Sequence, residues 1–383
     1  MFKRRWQKLK MNFTGLIGQR ANYHQPDYAV IITVGVIAVF GLIMLWSVSS
    51  AVSFVKYQST YIIFRKQLYS FFVGVGLFYL TSRIDYHKYK DFAWPLLATS
   101  LFLLILVFIP GLRGTWGTAH SWISIFGFSL QPSEIVKITF LLYLAAWIDK
   151  RDKDLHDLHH GTTPFLLLLA FITVLMLAQP DTGTLLIILV ISLSVYFVGG
   201  GNLKHIAYII AFGLIGLLFM VKIAPYQMDR FRCFWDYSFS PQDVCYQINQ
   251  SLIAVGSGGF WGKGYGNSRQ KFNYLPEVQG DAIFPVIAEE MGFVFSALLL
   301  FLFAYLFYRG YFISRRARDR YGKLLSIGIV TWFAFQAFVN IGGVVNLIPM
   351  TGVPLPFISY GGSAMLAALA SAGILVNISK QTK

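Results

Sequence analysis

Asp281 stands where a long polar stretch gives way to an apolar run, eight residues ahead of Glu289-Glu290. A carboxylate at such a junction is partly shielded from water, which raises its proton affinity toward that of a useful general base. The position equally suits an N-capping Asp, and spacing alone favours the cap over the base. A second constellation is Gln131-Pro132-Ser133-Glu134, with Lys137 one turn on. Pro suits the first position of a helix, and an acid in the first turn is favoured by the helix dipole. Three apart, Glu134 and Lys137 share a helix face and can pair. They read either as a capped helix start with a satisfied ion pair or, being ionisable groups in an apolar span, as part of a site. Asp181 lies in Gln179-Pro180-Asp181-Thr182-Gly183, where Pro and Gly break an apolar run. Backbone groups freed there must face protein or water if the run lies in lipid. A plain polar turn is the alternative.

Cations and glycines gather in one place. Lys263, Arg269 and Lys271 flank Gly256, Gly258, Gly259, Gly262, Gly264 and Gly266. Successive backbone N–H groups in such a loop can hold an anion, and the same glycines serve a tight structural turn. As a nucleotide motif the run is weak, because no strand precedes it and no helix pattern opens after it. Cys233 and Cys245 are the only cysteines, twelve apart. In an oxidising compartment they can form a structural disulfide, worth about 3 kcal/mol for a loop of that length; two free thiols are the alternative. A two-Cys metal site lacks further ligands nearby. His156, His159 and His160 sit in a short charged loop that reads as solvated rather than metal-binding.

These residues are held by a greasy chain. Of 383 residues, 56% are hydrophobic and only 13% charged, against about 25% charged in soluble domains. The reading is an all-α polytopic membrane protein. Ten apolar stretches are long enough to be spans: about 28–50, 62–80, 92–110, 132–148, 164–180, 183–199, 203–223, 281–308, 324–347 and 358–378. The fifth and sixth are short, so a re-entrant pair stays open. One long loop, about 224–280 between helices 7 and 8, is rich in aromatics and therefore expected to be ordered. Residues 1–27 form a basic N-terminal segment without a cleavable signal, and residues 28–379 a single transmembrane domain.

With the N-terminus inside, 21 of the 32 Lys and Arg fall in inner segments and ten in outer ones. That bias puts both termini in the cytoplasm and the long loop outside. Basic residues spread over loops between apolar runs are not a nucleic-acid footprint; anionic membrane lipids suffice as their partner.

Together, QPSE with Lys137, QPDTG, YQINQSLIAVGSGGFWGKGYGNSRQKFNYLPE, the stretch from Asp281 to Gly292, and TGVPLPFISYGGS resemble the SEDS family (shape, elongation, division and sporulation). These are peptidoglycan glycosyltransferases of the FtsW/RodA/SpoVE type, and LPFISYGGS and GNSRQK look most like the division members. The resemblance covers nearly the whole chain. It implies a bacterial inner-membrane enzyme that polymerises lipid II, a disaccharide-pentapeptide on undecaprenyl pyrophosphate, at the outer face. It further implies Asp281 as the essential acid and a class B penicillin-binding protein as partner. Glu134, Lys137 and Asp181 would shape the central cavity. Lys137, Lys263, Arg269 and Lys271 would meet the diphosphate charge, with a divalent cation, Mg2+ or Mn2+, as an alternative counter-charge. A lipid II flippase and a non-catalytic division scaffold are the rival readings. The chain departs from the family pattern at Ser121, where Arg is common, leaving His120 or Arg113 to compensate, and at Ala282, where Phe is usual.

Overall fold

The computed structural model describes residues 24–109, 121–125, 128–151, 154–223 and 225–382. Each of the ten stretches expected as spans contains a helix. In chain order the helices are α1 (Tyr28–Tyr57), α2 (Ile62–Arg83), the short α3 (His87–Asp91), α4 (Ala93–Leu106), α5 (Pro132–Asp149), α6 (Thr163–Ala178) and α7 (Thr182–Val198). There follow α8 (Leu203–Ile223), α9 (Pro225–Trp235), α10 (Tyr246–Ser257), α11 (Ile283–Arg316), α12 (Arg320–Val344) and α13 (Gly362–Ser379). A π-helical turn, Leu158–Thr162, runs into α6. The all-α expectation omits one element, a two-stranded antiparallel ribbon. In it β1 (Ile123–Ile125) pairs with β2 (Phe128–Leu130), Ile123 opposite Leu130.

Among the described residues, five helical segments are long and apolar enough to cross a membrane: α1, Leu158–Ala178, α11, α12 and α13. α4, α7 and Leu203–Leu218 of α8 are apolar but shorter. α12 and α13 are buried on nearly every face, with Trp332, Phe333 and Leu375 among their enclosed side chains. Peripheral helices instead present Phe72, Phe212, Leu218 and Phe301 outward. Apolar exposure on this scale is tolerated where lipid rather than water is the solvent. α13 lies along α2, α11 along α12, and α7 along α12.

Two expected boundaries change. The stretch about 224–280, expected to be ordered, contains two helices, α9 and α10, so the span before it and the span after it are not joined by loop alone. α11 is not one continuous helix either. Gly292, at φ 73° and ψ −172°, breaks it. The first part, Ile283 to Glu290, is wholly buried, whereas Phe293, Phe295 and Leu298 beyond the break are exposed. The backbone groups freed by the break are taken up by the glycine-rich segment. Lys263 N–H donates to Glu289 O (2.9 Å), Gly264 N–H to Glu290 O (2.9 Å), and Phe293 N–H to Gly259 O (3.0 Å). A helix interrupted inside a membrane protein needs such partners, because lipid offers none. The run of glycines therefore has a structural occupation: it closes on the break.

Candidate functional site

Asp281 is two residues ahead of α11, whose N-cap is Ala282 with no side-chain capping bond. The carboxylate is thus not a helix cap, contrary to what spacing alone favours. A tight turn presents it, with the Glu277 carbonyl accepting from Gly280 N–H (2.9 Å) and Ala282 N–H (3.3 Å). Asn340 of α12 locks that turn, its Nδ2 donating to the Asp281 carbonyl at 2.7 Å and to Val353 O at 2.8 Å. Tyr360 N–H donates to Gln279 O at 2.8 Å. The side chain itself is half-buried and accepts one long bond, from Gln247 Nε2 of α10 at 3.4 Å. Desolvation, followed by the charge of Glu277, raises its pKa to about 7, against the opposing pull of Arg230 and the Gln247 bond. A carboxylate enclosed enough to hold a proton near neutrality, yet still open at one edge, is equipped as a general base.

The other motifs converge on the segment 350–355 beside it. Lys137 Nζ lies 2.7 Å from Glu134 Oε1 and 2.8 Å from Gln336 Oε1, and 4.7 Å from the centre of the Trp332 ring. Both charged side chains are buried. Gln336 Nε2 donates onward to Pro354 O at 2.7 Å. Asp181 caps α7 through Oδ1, which accepts from Thr184 N–H at 3.2 Å. Its Oδ2 accepts from Ser133 Oγ (2.8 Å) and Gln131 Nε2 (3.2 Å). QPSE and QPDTG are therefore bonded to each other. The next residue but one, Gly183, packs against Thr351 and Val353. One Pro/Gly-broken segment thus adjoins the Asp181 turn, Gln336 (the partner of the Glu134–Lys137 pair) and Asp281.

Lys263, Arg269 and Lys271 are not part of this assembly. Lys263 Nζ is 2.7 Å from Glu289 Oε1, and Lys271 Nζ is 2.9 Å from Glu290 Oε1 and from Ser47 Oγ. Arg269 reaches Glu289 only through its backbone N–H (3.3 Å); Ser268 Oγ donates to Glu289 Oε2 at 2.5 Å. These glutamates lie eight and nine residues beyond Asp281, about 12 Å along a helix. Two buried carboxylates demand counter-charges, and Lys263 and Lys271 supply them. Lys271 is only 4% exposed, so the expected diphosphate contact is closed to it, while Lys263 and the exposed Arg269 remain at the surface. Ser121, standing where the family has Arg, is buried and donates to Gln179 O at 3.0 Å; His120 and Arg113 lie outside the described residues. Ala282 is fully enclosed, leaving no room for a Phe without repacking.

The sequence reading missed Arg230. It lies on α9, stacked on Tyr226 one turn earlier with its centre 4.4 Å from the ring, and it donates to the Tyr226 hydroxyl. A Cβ built on Gly352 (φ +76°) would stand 3.5 Å from both Arg230 Nη2 and Asp281 Oδ2. α9 is pinned beside the site by Gln227 Nε2 donating to Thr182 Oγ1 (3.0 Å) and Asn346 Nδ2 donating to Phe234 O (3.3 Å). A disulfide between Cys233 and Cys245 joins the last turn of α9 to the start of α10. That bond ties together the two helices carrying Arg230 and Gln247. The i,i+4 spacing of Tyr226 and Arg230 was visible in the sequence; their approach to Asp281 was not. Among the described residues no three His, Cys, Asp or Glu side chains converge to hold a metal ion. Asp281 and its neighbour Glu277 are the carboxylates that would hold a divalent cation here, since Mg2+ is commonly bound by one or two carboxylates together with substrate phosphates.

The break in α11 yields a prediction. A Cβ at Gly292 would meet Gly262 N at 2.2 Å and the Trp261 carbonyl carbon at 2.6 Å, both backbone. Its φ/ψ pair is accessible essentially to glycine alone. Gly292→Ala is expected to destabilise the fold by about 3 kcal/mol, measured by thermal unfolding in detergent followed through tryptophan fluorescence. Unchanged melting would mean the break is dispensable.

Residues 27–383 match the family described as Cell cycle protein, FtsW/RodA/SpoVE. The chain is 36% identical over 358 residues to the stage V sporulation protein E of Bacillus subtilis, covering 94% of this chain and 98% of the relative. It is 36% identical over 363 residues to a probable peptidoglycan glycosyltransferase FtsW of a Geobacter species, covering 93% and 97%. Among solved structures it superposes on a chain of a peptidoglycan synthase complex that coordinates polymerization and crosslinking. That match has TM-score 0.76 and 26% identity over 92% of this chain and 97% of the other. The rod shape determining protein RodA of Thermus thermophilus matches with TM-score 0.67 and 25% identity, over 94% and 99%.

Proposed function

The chain belongs to the FtsW/RodA/SpoVE family, and from that premise we propose that this multi-pass membrane protein is a peptidoglycan glycosyltransferase that uses Asp281 as its general base. The donor is lipid II. Asp281 takes the proton from the acceptor sugar's 4-hydroxyl as that oxygen attacks the donor's anomeric carbon. The new glycosidic bond forms with inversion, the bond to the lipid diphosphate breaks, and the electron pair leaves on the diphosphate. Because that leaving group is already stabilised, a paired general acid is less necessary than in a glycosidase. The observation that carries this reading is a half-buried carboxylate, held near neutrality by burial, at the meeting point of α9, α10, α11 and the 350–355 segment. Glu134, Lys137 and Asp181 hold that segment in shape.

For a chain of ten spans in a bacterial inner membrane, the Lys/Arg bias supports both termini in the cytoplasm and the α9–α10 segment on the outer face. A class B penicillin-binding protein is the partner, in keeping with the synthase complex on which this chain superposes. Similarity to FtsW proteins favours a division role.

Purified protein, supplied with lipid II in detergent, is expected to make glycan strands that ladder on a gel. Movement of lipid II across vesicles without any polymer would make the protein a flippase and overturn this reading. Neither polymer nor movement would leave it a scaffold.

A further inference from the structure

We propose that Arg230 is a catalytic residue of this site, the cation that receives the diphosphate of the departing lipid opposite Asp281. The inference rests on the glycosyltransferase reading above, and on geometry that reading does not use.

A reaction that expels a diphosphate needs fixed positive charge where the negative charge develops. Of the four cations expected from the sequence, three are engaged by side chains, and Arg269 is fixed by its backbone N–H to Glu289 beside the break in α11, remote from Asp281. Lys137 is sealed against Glu134 and Gln336, Lys271 against Glu290, and Lys263 is paired with Glu289. The last two lie by the break in α11, remote from Asp281. Arg230 differs on each count. Its described contacts are the hydroxyl and ring of Tyr226, which leave most of the five guanidinium donors free for a planar, bidentate grip on phosphate oxygens. It is held on a short helix anchored at Thr182, at Asn346 and by the disulfide.

Asp281 and Arg230 both border a glycine, Gly352. The point a Gly352 Cβ would occupy is 3.5 Å from each group, so Asp281 Oδ2 and Arg230 Nη2 are at most twice that, 7 Å, apart. They do not form an ion pair, which the structure would place within 4 Å. A carboxylate and a guanidinium that lie this close without pairing, beside a residue that has no side chain, can both reach one reacting anomeric centre. The base then faces the incoming hydroxyl and the cation faces the outgoing diphosphate. The charged groups about Asp281 are Glu277 from its own turn and Arg230 from α9; Gln247 of α10 and Asn340 of α12 are neutral. Removing Arg230 therefore withdraws a favourable charge, the one positive group acting on Asp281 among the described residues, and the acid limb of the pH–rate profile moves to higher pH.

The test uses the full chain in detergent with two readouts. The first is lipid II polymerisation as a function of pH. The second is the rise in melting temperature on adding undecaprenyl diphosphate, the released product, which does not depend on turnover. Arg230→Gln is expected to lower the rate about 100-fold, the size of losing one fixed donor to a developing anion, and to abolish the thermal shift. Arg230→Lys, a point charge without the fork, is expected to recover part of both. Asp281→Asn is expected to lose polymerisation yet keep the shift. An Arg230→Gln protein with the wild-type shift and rate would overturn the inference while leaving Asp281 in place. Polymerisation surviving in Asp281→Asn would instead sink the underlying reading. If both Arg230 variants fail to fold, Arg230 is a structural residue and the assignment falls.

Discussion

Asp281→Asn is expected to abolish glycan polymerisation while leaving a folded, membrane-inserted protein. Asn has the same shape and can keep a partner for Gln247, but it cannot accept a proton. A positioned general base contributes about 10^2–10^4-fold, so the residual rate should fall below gel detection. The pH profile of the parent gives a second, independent check. Burial and the charge of Glu277 hold Asp281 at about 7, and only the carboxylate form can act as base. Activity should therefore be low at pH 5.5, rise through pH 7 and level off above pH 8. The stability linkage runs in the opposite direction. Because its pKa in the folded state exceeds the ordinary carboxylate value, ionising Asp281 costs stability, and that loss accrues as pH rises from about 4 through 7. Asp281→Asn lacks the penalty and should melt no lower than the parent at pH 8. A variant that polymerises lipid II, or a parent whose rate is flat from pH 5.5 to 8, would remove Asp281 from the role of base.

The second large effect concerns the buried pair Glu134–Lys137. Their ion pair is 2.7 Å long with essentially no exposure on either side. Removing one partner of such a pair costs about 3–5 kcal/mol, because the remaining charge is left buried and uncompensated. Glu134→Gln strands the Lys137 ammonium on Gln336 alone. Lys137→Met strands the Glu134 carboxylate and takes a donor from Gln336, whose Oε1 still accepts from Trp332 Nε1 at 2.6 Å. Each single variant should melt well below the parent. It should also polymerise poorly, because Gln336 holds Pro354 and with it the segment beside Asp281. The double variant Glu134→Gln/Lys137→Met removes both charges and should be more stable than the sum of the single losses allows. Strictly additive losses in melting temperature would mean that the two charges are not coupled.

How far the sequence carried this protein differs from residue to residue. The QPSE and QPDTG motifs were visible as strings, and so was the chance that Glu134 and Lys137 pair, because both partners lie within one helical turn. The mutual bonding of Ser133 and Asp181 was not, since the contact joins the starts of two helices 48 residues apart. Lys271 shows the same limit from the other direction. Its charge and its glycine-rich neighbourhood suggested phosphate, yet the chain folds it onto Glu290 and Ser47, the latter 224 residues away.

Hydrophobic runs, turn residues and the balance of basic loops are local properties, and they were enough to determine a polytopic helical protein, its helical stretches and its short list of acids. Tertiary packing alone decided that Asp281 is presented by a turn instead of capping a helix, that α11 breaks at Gly292 against the glycine run, and that Arg230 stands beside Asp281 at Gly352. The reason is physical. A helix is specified by neighbours three and four residues away, but the meaning of a charge depends on which opposite charge and how much water it meets, and distant parts of the chain bring both.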